Sequence, residues 1–179
     1  MELKGYTIRG FDRGASKFKE ALWYLVRFIF FANPLPLPSF VRVGLLRIFG
    51  AKIGNGVVVR SNVNVTYPWR LTVGDDVWIG DDVLIISHGP VIIESSVCIS
   101  QRAFLCAGSH RFHSPGFDLV TKPIIIRRGS WIASMAFVAM GVEIGPDSMV
   151  GAGAVVLKSV PPGTTVIGNP ACVRAPKSA

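Results

Sequence analysis

With 179 residues, half of them apolar and 17% charged, the chain is long enough for one ordinary domain and too apolar to be disordered. Nineteen glycines and twelve prolines are too many for a helical bundle and suit many short strands and turns. The formal net charge of +8 favours anionic partners, but the basic residues are scattered and no binding motif accompanies them, so nucleic acid is not an expected partner.

The start, "MELKGYTIRGFDRG", lacks the apolar segment and small-residue cleavage site of a signal peptide. Cys98, Cys106 and Cys172 match neither a disulfide framework nor a zinc site. A reducing, cytoplasmic setting and no metal are therefore expected. Ser16 to Phe31, "SKFKEALWYLVRFIFF", carries Phe18, Leu22, Leu25 and Ile29 at helical spacing. Its apolar run, Ala21 to Ala32, is broken by Arg27 and is too short to span a bilayer. "NPLPLPS" ends that helix, and Ser39 can cap a second one through Phe49. This N-terminal region, 1–52, fits a helical cap packed on the rest of the chain or on a neighbouring subunit. With Lys17, Lys19, Arg42 and Arg47 it also fits a peripheral anchor at the inner membrane face.

From Ile53 the chain divides into hexads, each led by an aliphatic residue. The leads are Ile53, Val59, Val65; Val73, Ile79, Ile85; Ile93, Ile99, Leu105; Ile126, Ile132, Val138; and Ile144, Val150, Val156. Small or apolar residues two places before many of them give period-2 alternation, so each hexad reads as a short strand and a turn. Such repeats predict an all-β fold, a parallel β-helix of about five three-sided coils over 53–172, with a tail at 173–179. Coils stack about 4.8 Å apart, and the stacking creates the core. Val65 to Val73 and Ile85 to Ile93 are each eight residues, and Leu105 to Ile126 is twenty-one. Every insertion follows the third hexad of a coil, so one corner is elaborated, and elaborated edges usually carry function. The longest insertion, 111–125, is expected to be a protruding loop. His110 immediately precedes it.

"YPWRLTVGDDVWIGD", "ISQRAFLCAGSH", "SPGFDL", "WIASMAFVAMGVEIG", "VGAGAVV" and "GNPA", following "RIFGAKIG", together resemble the hexapeptide-repeat acetyltransferases, in particular the colanic-acid-type O-acetyltransferases. The resemblance spans nearly the whole chain. It implies a left-handed β-helix, a homotrimer, and acetyl-CoA as co-substrate in a groove between two prisms, with no bound cofactor. It further implies acetyl transfer to a sugar hydroxyl in polysaccharide or exopolysaccharide biosynthesis. His110 matches the general base, a role that imidazole suits because it titrates near neutrality. Ser134 matches the residue whose backbone N–H faces the thioester oxygen, and Trp131 an aromatic beside it. Ala152 matches a backbone contact to the pantetheine arm and Lys158 a contact to a CoA phosphate. Cys172 stands where a basic residue is common, and Arg174 can substitute for it. Leu157 replaces a frequent hydroxyl residue. Ser87 and His88 lie where relatives place an asparagine near the acceptor, and His113, Phe117 and Asp118 in the insertion are available to touch it. Two other readings stay open: a catalytically silent β-helix scaffold, and a γ-type carbonic anhydrase holding zinc through His88, His110 and His113. The latter spacing is poor.

Overall fold

The computed structural model of the protein describes residues 10–32, 37–114 and 116–174. Most of the opening stretch, "NPLP" of the helix terminator, Pro115 and the tail beyond Arg174 lie outside them. All fifteen hexad leads stack in three parallel columns. Ile53, Val73, Ile93, Ile126 and Ile144 align on the first side. Val59, Ile79, Ile99, Ile132 and Val150 align on the second, and Val65, Ile85, Leu105, Val138 and Val156 on the third. All but Ile53, which is half-buried, are buried in one continuous core. The second side runs on through Thr165–Ile167, and Cys172–Val173 then folds back antiparallel onto it.

Two corners are alike in every complete coil. The corner between the first and second sides turns on a left-handed residue, for example Asp76, Ser96 or Asp147, and the next corner does so at Asn62, Asp82, Arg102 and Met135. Asn and Asp tolerate that conformation through local hydrogen bonding. Close stacking also forbids side chains at some corner positions: a Cβ on Gly74 would sit 2.6 Å from the Ser95 amide nitrogen of the next coil. The third corner lacks that ladder and takes the insertions.

The longest insertion differs from expectation. It is not a loop but an antiparallel hairpin, Gly108–His110 against Leu119–Thr121, after which the first side resumes at Ile124. Thr and Val in "DLVTK" pair with "GSH" as a second, outward ribbon, which the six-residue period could not show.

Helix α1 (Lys17–Phe30) and helix α2 (Ser39–Ile48) close the N-terminal end. A β-helix ends in three strand edges with backbone groups that lack a neighbouring coil. Each edge receives a side chain from the cap. Trp23 Nε1 donates to the Val65 carbonyl (3.0 Å), Ser39 Oγ accepts from the Val59 amide (2.7 Å), and Arg47 donates to the Ile53 carbonyl (3.1 and 2.9 Å). Arg27 adds a bond to Asn64 Oδ1 (3.0 Å). Trp23 packs on Phe31 and Phe49.

These bonds overturn two sequence expectations. Ser39 does not cap α2; its hydroxyl serves a strand edge, and α2 has no side-chain cap. Arg42 is no surface cation, being buried and donating to the Phe30 and Leu37 carbonyls. On α1, Phe18, Leu22, Leu25 and Ile29 are exposed, and Glu20 and Trp23 are buried. The floor beneath α1 offers backbone acceptors at its rim, so the helix turns its hydrogen-bonding side chains inward. Among the described residues no helix is long and apolar enough to cross a membrane.

Removing one edge bond should leave a buried backbone group unpaired, at a cost of about 1–3 kcal/mol. Trp23→Phe and Ser39→Ala should each lower the thermal midpoint by several degrees, whereas Phe18→Ser should leave it nearly unchanged. Thermal unfolding by circular dichroism checks all three.

Candidate active site at the elaborated corner

The three insertions stack on one another. In the first, Tyr67 leads into a 3-10 turn, Pro68–Arg70. In the second, Ser87 is fully buried, accepting from the Tyr67 amide (2.8 Å) and donating to the Tyr67 carbonyl (3.0 Å). Ser87 therefore holds the corner together and cannot meet an acceptor, contrary to the sequence reading. His88 lies against Tyr67 (ring centroids 5.6 Å apart) and edge-on to Phe11 (5.8 Å). Arg70 bonds the His88 and Asp12 carbonyls and sits over the Phe11 ring (5.0 Å). Trp69 Nε1 donates to the Arg13 carbonyl (2.7 Å), and Arg13 pairs with the buried Glu20 (2.8 Å). Residues 11–13 thus roof the corner. Sequence reasoning missed Phe11, Tyr67 and Arg70; the aromatic run "YPW" inside an insertion was the available signal.

In the third insertion, His110 ends the outgoing strand of the hairpin, opposite Leu119. Its Nδ1 lies 2.8 Å from the Phe117 carbonyl. A carbonyl can only accept, so Nδ1 carries a hydrogen, and in the neutral ring the lone pair is on Nε2. The Phe117 ring stacks on the imidazole, centroids 4.3 Å apart and planes 4° from parallel. Phe117 holds a φ of +47°, rare for a bulky residue, and its amide donates to the Ser114 carbonyl (3.0 Å). Ser114 Oγ donates to Asp118 Oδ2 (2.6 Å), and the Arg111 amide to the Asp118 carbonyl (2.9 Å). The turn is built to present Phe117 to His110. His113 is exposed beside Phe112. A Cβ on Gly108 would lie 2.9 Å from His88 Nδ1, so His88 packs directly under this strand. Burial pushes His88 below the ordinary histidine range, and Arg70, His110 and Arg13 add to the shift.

The remaining predicted residues lie apart from His110. Trp131 is on the second side, exposed, with Nε1 bonded to Ser100 Oγ (2.8 Å). Ser134 and Ala152 stack in the corner between the second and third sides, where the Ser134 carbonyl accepts from the Gly153 amide (2.9 Å). Lys158 is exposed at the third corner, two coils beyond His110, and the exposed Arg174 bonds Thr165 through its amide (2.8 Å). One chain therefore carries His110 at one corner and Ser134 and Ala152 at another. Among the described residues no three His, Cys, Asp or Glu side chains converge as metal ligands.

No family model matches the chain. It is 44% identical over 174 residues to the Escherichia coli (strain K12) protein named "Putative colanic acid biosynthesis acetyltransferase WcaF", across 97% of this chain and 95% of that one. It is 27% identical over 132 residues to the galactoside O-acetyltransferase of the same organism, across 72% and 65% of the two chains. Among solved structures, a hexapeptide-repeat-containing acetyltransferase of Vibrio cholerae in complex with acetyl-CoA superposes with a TM-score of 0.82 at 24% identity, covering 100% of both chains. A galactoside acetyltransferase in complex with coenzyme A gives 0.80 at 24% identity, covering 98% of this chain and 90% of that one. At these identities the structures establish the fold alone, a left-handed β-helix.

The depressed His88 pKa predicts an acid-side loss of stability. An unfolded histidine titrates near ~6.5, and folded His88 lies lower. Below about 6.5 the unfolded chain takes up a proton that the folded one does not, so stability falls as pH drops through that value and levels off below the folded pKa. Thermal midpoints between neutral pH and pH ~5 should show this fall, and His88→Gln should lose part of it.

Proposed function

The chain belongs to the hexapeptide-repeat acetyltransferase family, and from that premise we propose that it is an acetyl-CoA-dependent O-acetyltransferase acting on a sugar hydroxyl, in polysaccharide or exopolysaccharide biosynthesis, with His110 as general base. The observation that carries this reading is the Nδ1 contact to the Phe117 carbonyl, which in the neutral imidazole leaves the lone pair of His110 on Nε2. The relatives named for colanic acid biosynthesis and galactoside acetylation support a sugar acceptor.

In this mechanism Nε2 takes the proton of the acceptor hydroxyl as its oxygen attacks the thioester carbonyl carbon. A tetrahedral intermediate forms, its oxyanion facing the Ser134 backbone N–H. The intermediate collapses with cleavage of the C–S bond, and the imidazolium returns the proton to the leaving CoA thiolate. Phe117 holds the tautomer and ring plane through its carbonyl and ring. Asp118 is tied to Ser114 on the same turn, and with His88 and His113 it is offered to the acceptor. Trp131 and Ala152 flank the pantetheine arm, and Lys158 and Arg174 take the CoA phosphates. His110 and Ser134 stand at different corners of one prism, so a complete site needs a second copy. A homotrimer with cyclic symmetry then gives three equivalent sites. The setting is cytoplasmic.

His110→Ala should lower kcat by roughly 10²–10⁴ while acetyl-CoA still binds. A panel of glycans and lipid-linked sugars, with mass spectrometry of the acetylated product, supplies the assay. Near-normal kcat in the variant would remove His110 as the base, and failure of the wild-type protein to bind acetyl-CoA would favour a silent scaffold.

Lys158→Ala should raise the KM for acetyl-CoA with little change in kcat, because a phosphate contact is the same in ground and transition states. Steady-state kinetics at low salt measure this directly; an unchanged KM would make Lys158 a bystander.

A further inference from the structure

The outer face of the helical cap is more apolar than anything the fold requires. On α1, Phe18 is 78% and Phe28 74% exposed, with Leu22 and Leu25 beside them, and on α2 Phe40 is 74% and Ile48 76% exposed. Trp23, Ser39 and Arg47 all reach the first coil, so both helices lie on the same end of the prism. The side chains opposite those contacts face away from that end. On α1 the spacing 18, 22, 25 forms one stripe.

We infer that this face docks the enzyme onto an anionic membrane surface. Charge is the first argument for that occupant. Nine of the nineteen basic residues but only three of the eleven acidic ones precede Ile53, and even with Arg42 buried and Arg47 spent on the rim the segment that carries the stripe stays net positive. Lys17 is exposed there, next to Phe18 at the start of the stripe. A basic helix with an aromatic and leucine-rich face lies in the headgroup plane, drawn by both apolar burial and charge. Length is the second argument: the 14 residues of α1 can lie along a bilayer surface but are too few to cross it. The third rests on the proposed trimer. Copies completing one another's sites meet along the prism sides, leaving the capped end uncovered. Docking there presents the active sites to acceptors held at the membrane, such as lipid-linked saccharides.

The test is co-sedimentation of the 179-residue chain with vesicles of phosphatidylglycerol and phosphatidylethanolamine, against vesicles of phosphatidylcholine. The wild-type protein should pellet with the anionic vesicles, less so as salt rises. The double variant Phe18→Ser, Leu25→Ser should bind them about tenfold or more weakly, with unchanged thermal midpoint and unchanged acetyl-CoA affinity. A wild-type protein that stays in the supernatant at low salt overturns the inference. So does a lipid-free assembly that becomes smaller in the variant, which would make a second copy the occupant. A large fall in thermal midpoint for Phe18→Ser alone also overturns it, because the stripe would then be covered by the chain itself. Acetyl-CoA binding is measured separately by calorimetry, so loss of the docking idea and loss of the acetyltransferase reading give different results.

Discussion

In-register stacking governs this molecule. Each coil must place its aliphatic lead directly over the one before it, as Ile79 over Val59 and Ile99 over Ile79, or the backbone bonds between coils fail. Two corners meet that demand with a fixed turn through a left-handed residue, and nothing can be added there without shifting the column. The third corner alone absorbs extra chain. The tyrosine of the first insertion, the serine and histidine of the second and the hairpin of the third therefore come to lie in one vertical stack, though forty residues separate Tyr67 from Ala107.

That stack explains the division of labour between neighbouring residues. Ser87 and His88 are adjacent, yet one is consumed by the backbone of Tyr67 and the other turns its ring between Tyr67, Phe11 and Gly108. Phe117 meets His110 twice, its carbonyl at Nδ1 and its ring against the imidazole plane. Its left-handed backbone is held by the short turn from Ser114. A bulky residue keeps such a backbone only where the surrounding turn over-determines it.

The repeat is legible in the sequence down to single residues, because the period fixes which side chain meets which, and all fifteen leads pair as the spacing requires. The insertions are legible only as positions. Their internal structure depends on pairings outside the period, such as Ser109 with Val120, and on a partner distant in sequence, Phe11, that no local pattern links to His88. For the cap, spacing yields the helices but not the side chains that meet the prism. Apolar spacing assumes an apolar floor, and the rim of the β-helix presents carbonyls and amides that call for Trp23 and Arg47 instead. A local capping role for Ser39 fails for the same reason.

The bonds at that rim also decide how copies of the chain avoid each other. A bare first coil would display three parallel edges already in the geometry of a growing cross-β fibre, and a bare last coil would display their complement. Trp23, Ser39 and Arg47 occupy acceptors and a donor on the first coil, and at the other end the reversal at Cys172–Val173 puts an antiparallel strand where another copy would have to add a parallel one. The same few hydrogen bonds that close the prism keep a self-templating ladder finite, so that it remains a discrete protein and does not become a filament.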